Sequence, residues 1–191
     1  MPATKKITGD AVLAAALDVI REGGFSAVNA RSVAQKLGCS TQPIYLCFEN
    51  MQELRLALRE CAKAEHLKRV KASISKNNGS HSRYCDYGVG FVRFAEQEKE
   101  LFKWIYLEEN IGKEQYDMFA ADITKTISEE YGYSADVAKQ LHKYMTFFTY
   151  GIAVLANTGK LQISEAELEK MFKNEFLALT SIFGAPPNEK N

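Results

Sequence analysis

Val33-Ala34-Gln35-Lys36-Leu37-Gly38-Cys39-Ser40-Thr41-Gln42-Pro43-Ile44-Tyr45-Leu46-Cys47-Phe48 is the stretch that decides the fold. It reads as a helix, a three-residue turn and a second short helix. Asn29 is placed to cap the first of these, about 30–37, and Gly38 to end it. Ser40 is placed to cap the second, about 41–47. Pro43 then falls in its first turn, where a missing backbone N–H removes no intrahelical bond. Two helices joined so tightly are one way a protein presents a helix to the major groove of DNA.

Upstream, Leu13, Ala16, Leu17 and Ile20 form the apolar stripe of a helix over about 8–22, with Gly23-Gly24 as its stop and Phe25 as a core plug. Downstream, Asn50 and Glu53 have the spacing of a capping box that opens a long helix over about 51–72. The polar, turn-rich stretch 73–82 reads as a loop. Further helices follow near 83–98, 100–109, 114–131, 135–157 and 164–183, punctuated by Gly112, Gly132 and Gly159. Proline occurs only at positions 2, 43, 186 and 187, and strand-like alternation is scarce, so the expected fold is all-α. The expected organisation is a head at 1–50, a connecting helix at 51–72, a larger helical body at 73–183 and a frayed tail at 184–191.

Composition bounds the function. A chain of 191 residues with 46% hydrophobic and 25% charged residues can fold as one compact domain or as a small domain on a larger one. No apolar run reaches the roughly 18–20 residues that span a bilayer, and the N-terminus lacks a signal-peptide core. A cytoplasmic protein without a membrane partner is expected. Cys39, Cys47, Cys61 and Cys85 are dispersed, which predicts free thiols rather than a zinc site or disulfides. His66, His81 and His142 form no metal-spaced set, and Gly88-Val89-Gly90 lacks the context of a nucleotide fingerprint. No cofactor and no catalytic constellation are expected, so the chain does not read as an enzyme. Lys/Arg and Asp/Glu balance at 24 each, but residues 1–71 carry 11 basic against 7 acidic side chains, and the remainder 13 against 17. A mildly basic head on an acidic body suits DNA binding at one end.

In that head, Thr41 and Gln42 open the second helix, and Gln can bond adenine in a bidentate manner. Tyr45, one turn on, can offer its hydroxyl to a phosphate, while Arg31 and Lys36 suit charge-assisted phosphate contacts. Ile44, Phe48, Val33, Leu37 and Leu17 form the apolar face that packs inward. On spacing alone, the rival to this reading is a helical hairpin with a purely structural role.

The resemblance adds to this. Val12-Leu13-Ala14-Ala15-Ala16-Leu17, Gly24-Phe25, Arg31-Ser32-Val33-Ala34, Gly38-Cys39-Ser40, Ile44-Tyr45, Phe48 and Glu53-Leu54 fall in order with consistent gaps. Residues 7–58 thereby resemble the N-terminal domain of the TetR family of bacterial transcription regulators. The later stretch, from Tyr84 to Phe91 and from Glu100 to Trp104, resembles the family's ligand domains only loosely. The resemblance implies that Thr41, Gln42, Pro43, Tyr45 and Leu46 face DNA, with Arg31 and Ser32 on its backbone. It also implies an effector pocket in the body. One departure is Met51, where the family usually has a lysine two residues before the Glu-Leu pair. Without that contact, affinity would lean on Lys5, Lys6 and Tyr45.

Aromatics crowd the body. Phe91, Phe94, Trp104, Tyr106, Phe119, Tyr144, Phe147 and Phe148 are candidates to line a pocket for a largely apolar small molecule, or form an ordinary core. Apolar residues cover more of the last two helices than one buried face requires. Tyr150, Val154, Leu168, Phe172, Phe176, Leu179 and Phe183 are candidates for a homodimer face that forms a four-helix bundle. The other reading makes both helices central in a monomer.

The expectation is a TetR-like repressor that leaves a palindromic DNA operator when an effector binds. The rivals are a helical ligand-binding protein and a protein-interaction module, each with a structural head.

Overall fold

The computed structural model describes residues 7–76, 82–108 and 119–188, and every regular element among them is helical. α1 spans Gly9–Gly23, α2 Ala30–Leu37, α3 Gln42–Cys47 and α4 Met51–Lys76. α5 spans Arg83–Gln97, α6 Lys99–Phe102, α7 Ala120–Tyr131, α8 Ala135–Asn157 and α9 Glu165–Phe183. The expected loop at 73–82 starts later than its polar sequence suggests, because α4 continues to Lys76. Residues 77–81, Lys5, Lys6, His81 and Gly112 lie outside the described residues.

Local chemistry explains the head. The Thr8 hydroxyl accepts from the Ala11 N–H at 3.3 Å and starts α1. The Asn29 Oδ1 accepts from the N–H groups of Arg31 and Ser32, at 3.0 and 3.1 Å. The Asn29 N–H donates to the Ser32 hydroxyl in return, so α2 opens with a reciprocal cap. Gly38 then turns left-handed, at φ 67° and ψ 35°, and the Cys39 N–H closes back on the Ala34 carbonyl at 3.0 Å. A side chain at Gly38 would be strained there, which fixes the turn between α2 and α3.

The chain divides into two compact units. The first holds the described residues of Met1–His66 and Glu98–Ile111, the second those of Leu67–Gln97 and Gly112–Asn191. α4 contributes to both. Segment 98–107 therefore groups with the head, although its helical pattern reads as part of the body. Its single expected helix is also broken, into α6 and a π-helical turn over Lys103–Leu107. Two contacts account for its placement. Trp104 stacks on Phe25 with centroids 4.4 Å apart and planes 8° from parallel, an arrangement that adds about 0.5–1.5 kcal/mol to simple burial. The buried Glu98 carboxylate accepts from Arg21 Nε at 2.9 Å. That hydrogen bond, with the charge of Glu98 and the contact to Asp18, raises the Arg21 pKa against the opposing effect of burial.

In the second unit, α5, α8 and α9 enclose a core that includes Phe94, Leu141, Met145, Ile152, Leu168 and Phe172. A Cβ at Gly90 would lie 2.9 Å from the Val70 backbone, so this close approach of α5 to α4 requires glycine. The Asn157 amide donates to the Ala95 carbonyl at 2.9 Å and ties α8 to α5. The tail differs from the frayed segment expected at 184–191. The Tyr133 hydroxyl donates to the Gly184 carbonyl at 2.6 Å, Pro186 is buried, and the Asn188 N–H donates to the Tyr131 carbonyl at 3.1 Å. Residues 189–191 lie outside the described residues.

Candidate nucleic-acid interface

α3 is short enough for every side chain to be assigned. Ile44 is 1% exposed and Phe48, just past the helix end, is buried, so these two seat α3 on the head. Pro43 and Cys47 are half-buried, and the Cys47 thiol lies 3.7 Å from the Ile7 carbonyl. Gln42, Tyr45 and Leu46 face solvent, Tyr45 at 50% and Leu46 at 79% exposure. At 100° per residue these three and Thr41 lie on one outer arc.

The expected cap is a correction. Thr41, not Ser40, occupies the N-cap position, and no side chain caps α3. An N-cap oxygen serves the second or third helical N–H. Here the second belongs to Pro43, which has none, and the third, on Ile44, already donates to the Thr41 carbonyl at 3.1 Å. Ser40 is left exposed in the turn and half-buried Thr41 stands at the start of the outer arc.

α2 carries the remaining candidates. Arg31 is exposed at its first turn. The Ser32 hydroxyl accepts from the Asn29 N–H and lies 2.8 Å from the Ala27 carbonyl, and these contacts shape the start of α2. Lys36 is exposed and pairs with Glu22 at 2.5 Å, and this hydrogen bond raises its pKa. On α4, Asn50 Oδ1 accepts from the Gln52 and Glu53 N–H groups, at 2.9 and 3.0 Å. The Glu53 carboxylate reaches back to the Glu49 N–H at 2.5 Å, one residue earlier than a strict capping box. Half-buried Met51 begins the helix.

Sequence reading missed Arg55. Its guanidinium lies 5.4 Å from the centre of the Phe25 ring, which also stacks on Trp104. Only the position of Phe25 as a plug after Gly24 hinted at it.

These features lie within residues 12–58, which match the family model for bacterial regulatory proteins, tetR family. The head is a TetR-family DNA-binding domain. The chain is accordingly a DNA-binding transcriptional regulator. The fold extends this likeness over most of its length. A TetR-like transcriptional regulator from Rhodococcus sp. RHA1 superposes with a TM-score of 0.64 at 16% identity, covering 92% of this chain and 95% of that one. A putative TetR-family transcriptional regulator from Vibrio parahaemolyticus gives 0.63 at 18%, covering 88% and 96%. A second Rhodococcus sp. Rha1 regulator gives 0.63 at 14%, covering 93% and 97%. At such identities these structures speak to the fold. No curated protein matches the sequence.

The body candidates separate. Trp104 and Tyr106 belong to the unit that holds the head, where the Tyr106 hydroxyl lies 2.5 Å from His66 Nδ1. Phe91, Phe94, Phe119, Tyr144, Phe147 and Phe148 belong to the other unit. Phe94 is fully buried, Phe91 and Phe148 are half-buried against Tyr150 and Phe172, and Phe119 precedes α7. Tyr144 and Phe147 are half exposed, at 50% and 53%, so they lie on an outer surface rather than inside the body. Among the dimer candidates, Leu168, Phe172, Phe176 and Leu179 are buried within the single chain. Those four serve its own core and offer no free face. Tyr150, Val154 and Phe183 are half-buried.

Proposed function

We propose that the chain is a homodimeric repressor that reads a palindromic operator through α3 and leaves it when a small molecule binds the second unit. The observation that carries the DNA-reading part is the outer arc of α3, where Gln42, Tyr45 and Leu46 project while Ile44 holds the helix in place. In this reading Gln42 reads a base edge, Tyr45 and Arg31 contact phosphates, and Lys36 exchanges its surface partner Glu22 for a phosphate. The protein acts by binding, without catalysis, in the cytoplasm.

The dimer is proposed on exposed residues of α8 and α9 other than those buried in the core. Tyr144, Phe147, Gly151 and Leu155 follow one another at helical spacing on a single exposed stripe of α8. Leu177 and Ile182 are exposed on α9. Pairing the α8 stripe and the adjoining α9 about a two-fold axis makes a four-helix bundle. Two heads about 34–36 Å apart then address successive major grooves. α4, one helix shared by both units, is the element proposed to carry the effector's influence. A hundredfold release of DNA needs a preference of only about 2.7 kcal/mol for the non-binding form.

The test is selection of bound duplexes from a random library by the full chain and by Gln42→Ala. A palindromic motif that blurs at particular base pairs in the variant is the expected result. Equal motifs from both proteins would remove Gln42 from base reading, and no enrichment at low salt would remove the head from DNA altogether.

A further inference from the structure

We infer that Leu46 makes the operator half-site thymine-specific at one position, by packing against the C5-methyl group in the major groove. This rests on the DNA-reading role of α3 proposed above.

Leu46 is the most exposed large hydrophobic residue of the described chain, at 79%. It lies on a six-residue helix whose other exposed side chains, Gln42 and Tyr45, both carry hydrogen-bonding groups. A leucine has none to offer a phosphate or a polar base edge. The inward side of α3 is already filled by Ile44 and Phe48, so Leu46 contributes little to seating the helix.

The major groove has one apolar feature, and it sets thymine apart from the other three bases. Guanine shows N7 and O6, adenine N7 and N6–H, cytosine N4–H, and thymine O4 beside a methyl group. A leucine against a cytosine or purine edge strips water from a polar group and returns no hydrogen bond. Against the thymine methyl it buries apolar surface on both partners. Leu46 therefore discriminates thymine from cytosine, a distinction that Gln42 does not make.

Geometry couples the two readers. Leu46 follows Gln42 by four residues, so both lie on the same side of α3, with a rise of about 6 Å between them. Base pairs are stacked about 3.4 Å apart. The half-site is expected to hold an adenine read by Gln42 and a thymine against Leu46 within about two base-pair steps.

The experiment uses the full chain and the duplex it selects from a random library. Each thymine is replaced singly by deoxyuridine, which pairs identically and lacks only the C5-methyl group. One position in each half-site is expected to weaken wild-type binding about fourfold, the worth of one buried methylene-sized group. Leu46→Ala binds the thymine duplex more weakly and shows no further loss with deoxyuridine at that position. Leu46→Met keeps an apolar side chain of similar reach and retains the discrimination. The inference is overturned if wild type is indifferent to every replacement, or if Leu46→Ala separates thymine from deoxyuridine as wild type does. Failure of the wild-type chain to enrich any duplex is a different result, and overturns the DNA-reading role beneath it.

Discussion

α3 and α8 both turn apolar side chains to solvent, and for different reasons. α3 has six residues, of which Ile44 is its one fully buried anchor, and its exposed arc mixes Leu46 with the polar groups of Gln42 and Tyr45. α8 has 23 residues and a complete buried side that includes Leu141, Met145 and Ile152. Its exposed stripe of Tyr144, Phe147 and Leu155 flanks Gly151, which has open space around it. A mixed arc suits a partner with polar edges and a methyl group, whereas a stripe of two aromatics and a leucine beside a glycine suits another helix. An exposed hydrophobic residue thus takes its meaning from what stands beside it.

The largest test of that contrast falls on α8. Tyr144→Asp combined with Phe147→Asp places two charges on the stripe without touching the core. Sedimentation is expected to show a monomer, and affinity for the selected palindrome is expected to fall by roughly 10²–10⁴, the gain that linking two sites supplies. Affinity for an isolated half-site stays as before, because α3 is unaltered. A variant that still sediments as a dimer would detach the stripe from self-association.

The contrast sharpens at α4, the helix both units share. His66 is fully buried on it, with the Tyr106 hydroxyl at Nδ1, and burial lowers its pKa from 6.5 to about 3. The folded protein therefore holds His66 neutral where the unfolded chain binds a proton. His66 contributes stability in full above pH 6.5 and loses it as pH falls from 6.5 towards 3, by at most about 1.4 kcal/mol per pH unit. Urea unfolding of wild type and His66→Gln between pH 7.5 and 4.5 reads this directly, with a shallower decline expected for the variant. Parallel profiles would mean that His66 carries none of the acid sensitivity.

Much of the head was legible because its signals are local. Asn29, Gly38, Pro43 and Asn50 each act through a neighbour within a few residues, so α2 and the tight turn fall where their chemistry puts them. Ser40 shows the limit: whether a cap has a donor to serve depends on which residue starts the helix. The body was legible as helices but not as surfaces. On α9, periodicity gave an apolar arc, yet Phe172 and Phe176 pack inward while Leu177 and Ile182 face out, and only the neighbours of α9 decide which. Trp104 and Glu98 were least legible, since Phe25 and Arg21 lie 77 or more residues away in sequence.

The smallest expected effect concerns Met51, the departure from the family's usual lysine. At the first residue of α4, Met51→Lys places a cation near the positive end of a helix, which costs about 0.3–1 kcal/mol of stability. That cost falls on the free and the bound protein alike and so leaves affinity largely untouched. A new phosphate contact acts on the bound state only. It is expected to steepen the plot of log affinity against log salt by about 0.9 for each head. Gln162→Lys, exposed in the other unit, adds the same charge and is expected to leave that slope as it is in wild type. If the two variants steepen the slope equally, the gain comes from net charge, and the N-terminus of α4 does not face the phosphates. A steeper slope in Met51→Lys alone places that end of α4 against the DNA backbone beside the outer arc of α3.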